Sequence, residues 1–318
     1  MILLPIDIVL ASTLVALVLC VLAARTRTES VIVFMVFGLV MALAWVRVDA
    51  PDLAIAEAAI GSGVTGALLL GALRRLRPHT PRTAPKATAP PWLRRLAALG
   101  CLAIGGVLTA AITVTWSQPA PMTALVHTHL PASGVQNPVT AVILNFRAYD
   151  TWLEIGVLLI AAIGVSVCGK PRTPLATDDF AIPVLQFFVR WLRPSVLLVA
   201  IYLVWVGDKA PGGAFQAGAL LGGAGVVMLL SGGASAGGST SRGFLRVLLA
   251  LGFLVFTLVA LLMLCREALL AYPAHQAKHW ILVIELACTV SIGTILMLLF
   301  ATCAGLRNDL GTGGSLWP

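Results

Sequence analysis

The chain has 318 residues, 59% of them hydrophobic and 11% charged, with a formal net charge of +8 and a mean hydropathy of +0.98. Those proportions exclude an ordinary soluble domain. Apolar runs long enough to cross a hydrocarbon core of about 30 Å recur along the whole sequence, which excludes a single anchor carrying a soluble enzyme, and in a polytopic protein the basic excess marks cytoplasmic loops rather than a nucleic-acid partner.

In chain order the pattern predicts an all-α polytopic membrane protein with nine spans: roughly 3 to 24, 30 to 46, 53 to 73, 96 to 116, 148 to 168, 185 to 206, 212 to 231, 244 to 264 and 280 to 303. The first run has the length of a signal peptide, but it lacks a basic n-region and ends at Arg25 without a small-residue cleavage site, so it reads as a span. Two linkers separate blocks of three, two and four spans. RRLRPHTPRTAPKATAPPWLRR, from Arg74 to Arg95, is rich in proline and arginine, and CGKPRTPLATDDFAIP runs from Cys168 to Pro183. The predicted modules are therefore 1–92, 93–183 and 184–318. SGGASAGGSTSRG, from Ser231 to Gly243, reads as a loop inside the last block. The six cysteines lie in or beside apolar runs and never as CxxC, so they read as packing residues rather than a disulfide or metal cluster.

With the N-terminus outside and the C-terminus in the cytoplasm, 16 of the 21 basic residues fall inside, including the whole cluster from Arg74 to Arg95. The acids show the opposite bias. Asp7, Asp49, Asp52, Glu57, Asp150, Glu154, Asp208, Glu267 and Glu285 lie in the outer half, against Glu29, Asp178, Asp179 and Asp309 inward. Acids contribute little to insertion, so this asymmetry wants another cause, of which function is one candidate.

Three places carry embedded acids. Glu57 follows Asp52 into the third span, roughly 7 to 8 Å further along a helix. A carboxylate at that depth costs on the order of 2.5 to 3.5 kcal/mol and is retained to pair with a neighbour or to carry ions. In ILNFRAYDTWLEIGVLLIAAIGV, Asp150 and Glu154 share one helical face and Arg147 lies on the same side. Asn137 and Pro138 form an N-cap and first-turn pair upstream. One straight helix from Val139 to Cys168 would be about 45 Å long, too long for the core. A short interfacial or re-entrant helix to about Arg147, then a break and the span, is expected, with the charges at the break. Like charges one turn apart at low dielectric resist joint ionisation, so one of Asp150 and Glu154 is expected to titrate above the usual range, opposed by Arg147. Glu285 is the third embedded acid, five residues past the interfacial Trp280. His275 with His279 on one helix face, and His127 with His129 in a loop, lack further ligands at zinc-site spacing, so no metal site and no cofactor is expected. GDKAPGGAFQAGALLGG, from Gly207 to Gly223, sets a Pro-Gly-Gly break before small residues at four-residue intervals, the spacing of closely packed membrane helices. No Walker loop, GxSxG elbow or HExxH is present, and no enzyme active site is expected.

These motifs, in this order, resemble the Mrp (Mnh/Sha) multisubunit Na⁺/H⁺ antiporter family and related membrane-bound hydrogenase subunits. PDLAIAEAAIGSGVTGALLLGAL is similar to the three-span module at the C-terminal end of the large Mrp subunit, found also as a small hydrogenase subunit. FRAYDTWLEI is similar to FRGFDTLGEI of the two-span module that follows it, and GDKAPGGAFQAG to GHNAPGGGFIGG of the four-span B subunit, the MnhB domain. The family's histidine after Gly207 is Asp208 here, and its third glycine is Ala214. The large antiporter-like domain with its lysine and glutamate pairs is not found in these 318 residues, which reads as a subunit rather than a complete transporter.

The resemblance implies a fusion of A-subunit modules with a B subunit, in the bacterial inner membrane, working with other Mrp-type subunits on Na⁺ and H⁺. Glu57, Asp150 and Glu154 carry over from it as an ion route, with Arg147 a counter-charge and Glu285 added from the residues alone. The alternative is a connector that holds antiporter-like subunits together, or the membrane arm of a redox-coupled complex, its acids serving as buried interface partners. The orientation has a direct check: single cysteines between 74 and 95 should label only from the cytoplasmic side, and labelling only from outside would invert the topology.

Overall fold

The computed structural model describes residues 3–76, 90–116, 121–168, 183–231 and 241–304. Their regular elements are all helical, as the hydropathy pattern predicts, with no strand among the described residues. Eight helices are long and apolar enough to cross a bilayer, and Ala214–Leu230 is a shorter apolar ninth. The centres of both predicted linkers and of the 231–243 loop lie outside the described residues.

The chain divides into two units. Arg77–His129 is one, holding α5 (Pro91–Trp116) and α6 (Pro121–His129). His127 and His129 were expected in a loop, but they sit in the last turn of α6, where their charged forms would complement the helix dipole.

The other unit begins with α1 (Leu3–Ala23) and α2 (Arg27–Arg47), an antiparallel hairpin. Thr26 caps α2 by accepting from the Glu29 N–H, and the Glu29 carboxylate accepts from the Arg25 N–H. Across the open end of the hairpin, Arg47 grips Asp7, with Nε 2.8 Å from Oδ1 and Nη2 donating to Oδ2 at 3.2 Å. The third crossing is not one regular helix: α3 (Pro51–Ala56) passes into a π segment, Glu57–Val64, before α4 (Thr65–Leu76). The π segment packs on α2, where a methyl on Gly38 would come within 2.8 Å of the Ser62 side chain.

After a 3₁₀ turn at Leu130–Ser133 comes α7 (Pro138–Ala141), capped by Asn137, and a π turn, Val142–Phe146. The turn closes when the Arg147 N–H donates to the Val142 carbonyl at 2.8 Å, and Arg147 then leaves helical geometry at φ −129°, ψ 36°. The span α8 (Ala148–Cys168) starts one residue later, so the expected break falls at Arg147. The last block is α9 (Pro183–Val206), α10 (Ala214–Leu230), α11 (Arg242–Leu264) and α12 (Ala277–Ala304).

The core gathers on α12, the most buried span, which packs on α4, α8, α9, α10 and α11. Ile281, Ile284, Ile292, Ile295 and Leu298 are fully enclosed by residues such as Ile155, Leu249, Phe256 and Met263. The ring of Trp152 on α8 stacks on Phe253 of α11 with centroids 6.0 Å apart, and its indole N–H donates to Thr257 at 2.9 Å. The tightest seam is α10 on α12. A methyl added at Gly218 or Gly222 would come within 2.7 Å or 2.8 Å of Cβ of Ile292 or Leu296, so the small-residue spacing brings the two backbones together. Gly218→Val should therefore destabilise the purified chain by about 1–3 kcal/mol, read as a lower thermal midpoint. Gly223→Ala, which meets nothing within 4 Å, should leave the midpoint nearly unchanged.

Candidate functional site

The segment between α9 and α10, Gly207 to Gly213, is irregular yet largely buried. Its position explains why α10 is short. Gly213, just before α10, lies against Glu285: a methyl there would sit 2.9 Å from Oε1. Glu285 is the ninth residue of α12, about 12 Å along that helix from Ala277, so α10 starts well below the end of its neighbour. Irregular backbone at such depth is tolerated only when the protein itself supplies its hydrogen bonds.

Every element around the loop supplies some. The Gly212 N–H donates to Asp52 Oδ1 of α3 at 2.9 Å, and Gln216 of α10 donates to the Asp52 carbonyl at 3.3 Å. The Gly213 N–H donates to the Leu203 carbonyl of α9 at 2.9 Å. The Asp208 carbonyl accepts from the Gln136 and Asn137 N–H groups, the Ala210 carbonyl from the Asn137 side chain at 3.0 Å, and the Gly207 carbonyl from Thr140 of α7 at 2.5 Å. The first N–H of α10, on Ala214, points at the Glu285 carboxylate, where the positive end of the helix dipole favours an anion. Gly213 takes φ +108°, a conformation that a side chain resists.

Glu285, 3% exposed, separates two voids. On one side is a cavity of about 210 Å³ lined by Val204, Trp205, Asp208, Lys278, Ile281 and Leu282 among others. On the other is a gap of about 10 Å³ whose wall includes Ile143, Leu144 and Thr151 from the Arg147 break, with Gln216 and Cys288. Asp208, 9% exposed, pairs with Lys278, Oδ2 to Nζ, at 2.7 Å. Nearby in the chain, burial pushes the Tyr272 hydroxyl above the usual tyrosine range, and it has no hydrogen-bond partner among the described residues.

The other sequence candidates take separate places. Glu57 opens the π segment and folds back over Gly61, with its Oε1 3.3 Å from where a methyl on Gly38 of α2 would lie. A π insertion is a frequent mark of functional sites. Arg147 pairs with Asp150 at the break, both partly in the open, and Glu154 lies on the exposed face of α8 one turn further. The backbone of the break thus reaches Glu285, while its charges face away from the described core. Asp52 and Asp208 were visible as outer-half acids, but their shared loop was not. The density of Gly and Pro in GDKAPGG was the available signal.

Comparison with known proteins fits these features. Residues 12–78 match the MbhD family, described as the D subunit of MBH, and residues 184–307 match the domain related to the MnhB subunit of Na⁺/H⁺ antiporter. Over 243 residues the chain is 29% identical to the probable A/B subunit of a K⁺/H⁺ antiporter from Rhizobium meliloti (strain 1021), covering 65% of this chain and 24% of that protein. It is 29% identical to the A subunit of the Na⁺/H⁺ antiporter of Bacillus subtilis (strain 168), over 50% of this chain and 20% of that one. In the solved structure of the Mrp complex from Dietzia sp. DQ12-45-1b, one chain shares the fold with a TM-score of 0.74 at 20% identity, covering 93% of this chain and 34% of the other. The chain spans about a quarter or less of the length of the curated relatives it matches. It is a multi-pass, all-α membrane protein built from an MbhD-like module and an MnhB-related domain. Its two matched segments, and its similarity to A and A/B subunits of antiporters, set it beside the Mrp-type subunits.

The loop contacts imply a test of their own. Asp52→Ala leaves the buried Gly212 N–H without an acceptor and should cost about 1–3 kcal/mol, whereas Asp52→Asn keeps an oxygen there and should cost less. Thermal midpoints of the two variants, with amide exchange at Gly212, separate them.

Proposed function

We propose that the chain is a membrane subunit of a multisubunit cation/proton antiporter, set in the bacterial inner membrane with its N-terminus outside, and packed against antiporter-like subunits. In this reading Glu57, Asp150, Glu154 and Glu285 contribute to the path of Na⁺ or a similar cation and H⁺, with Arg147 as counter-charge. The observation that carries it is Glu285: a buried carboxylate well inside a span, between two voids and at the positive end of a helix. Such a group is expensive in a membrane unless it serves an ion. The antiporter names of the relatives support the same reading.

The exposed face of α8 favours a second one. Glu154 and the Arg147–Asp150 pair lie where another subunit would cover them, as a connector requires. The match over 12–78 to an MBH component supports a third variant, the membrane arm of a redox-coupled complex.

Glu154→Gln keeps the shape and removes only the ionisable group. In the assembled complex it should lower exchange roughly tenfold or more, a barrier increase of about 1.4 kcal/mol, while native gels show an intact complex. Asp150→Asn should act in the same direction but less, because Asp150 is already paired with Arg147. Normal proton flux in both variants would sink the transport role of these acids, and loss of assembly would make them connector residues.

A further inference from the structure

The cavity outside Glu285 is more than a gap in packing. Two carboxylates, from Asp208 on the loop and Glu285 on α12, line it together with one ammonium, Lys278. His279 completes the titratable lining, and Lys209, the next charge along the loop, points outward. Lys278 takes one oxygen of Asp208 at 2.7 Å. The other oxygen, Oδ1, is buried and accepts no hydrogen bond from the described residues, which leaves an acceptor unsatisfied in a side chain only 12% exposed. An orphan of that kind costs about 1–3 kcal/mol or more.

The charge count sets the ligand. With Asp208 balanced by Lys278, Glu285 when ionised leaves one negative charge in a low-dielectric pocket, which a single positive charge neutralises and a divalent ion would overshoot. The volume of about 210 Å³ holds a monovalent ion with several waters, since each water takes about 30 Å³ in the liquid. Carboxylates and water suit an alkali cation, a hard ion that prefers oxygen ligands.

We propose that Asp208 and Glu285 form a binding site for one alkali cation in the cavity between α9, the 207–213 loop and α12, with Lys278 as the tethered cation that shares Asp208. The site rests on the ion-path reading only in placing Glu285 on the route. Asp208 is the residue that sets this chain apart, since the resemblance has histidine there.

Thermal unfolding of the purified full chain in lipid nanodiscs tests it, with sodium or potassium chloride compared against choline chloride at equal ionic strength. An alkali cation at ten times its Kd should raise the folded-to-unfolded ratio about elevenfold. Asp208→Asn and Glu285→Gln should each remove that gain, and Lys278→Met should tighten the apparent Kd by roughly tenfold, because the internal competitor is gone. Glu267→Gln, an exposed acid in the α11–α12 connection, should keep the wild-type response. The proposal is overturned if wild type responds equally to choline, or if both carboxylate variants retain the alkali response. Specific binding combined with unchanged exchange by Glu285→Gln in the complex would support the site and remove Glu285 from the path. Loss of exchange without any alkali response would do the reverse.

Discussion

The fold turns on seven residues of backbone that cannot hydrogen-bond themselves. Between α9 and α10 the chain leaves helical geometry while most of it is buried, so its backbone groups must find partners in the surrounding protein. The structure answers with groups from four other places: Asp52 from the third crossing, Asn137 and Thr140 from the turn before the fifth, Leu203 from α9 and Glu285 from α12. The packing of the large unit follows from this. The tight α10–α12 seam holds Glu285 over the start of α10, and the short α7 with its π turn exists where Asn137 and Thr140 must reach the loop.

The acids consequently divide into two kinds. Asp7 and Asp150 are matched by arginines in partly open settings, Arg47 and Arg147, and such pairs contribute little to stability. Asp52, Asp208 and Glu285 converge on the loop and are buried. Asp52 has a purely local duty, accepting from a backbone N–H. Asp208 and Glu285 bring one carboxylate more to the pocket than Lys278 can pair. That surplus, rather than the number of acids in the sequence, distinguishes a place where ions could stop from a place where charges merely anchor helices.

Much of this was legible in the sequence and some was not. Hydropathy located the spans because each must be apolar along its whole length. The break at Arg147 was legible too, because Asn137-Pro138 marks a helix start and the run to Cys168 is too long for one crossing. The π segments were not, because an i→i+5 turn is decided by what packs on it, here Gly38 against Ser62. The helical setting of His127 and His129 was missed because a short polar segment carries no clear period. Glu285 stood out as an acid in an apolar run. Its proximity to Asp208, and that of Asp52 to Gly212, depends on contacts between residues far apart in the chain, which no local pattern encodes.

The bond from Gly212 to Asp52 closes a separation of 160 residues, and this has a consequence for biogenesis. At about 5–20 residues per second, the ribosome needs roughly 8 to 32 seconds after making Asp52 to deliver its partner. During that interval the third crossing sits in the bilayer with a carboxylate whose acceptor role is unfilled and a π segment whose neighbour α10 has not been synthesised. The first three crossings therefore wait in an unfinished state that membrane proteases and insertion factors can inspect, and the arrival of the Gly-Pro loop is the event that closes the window.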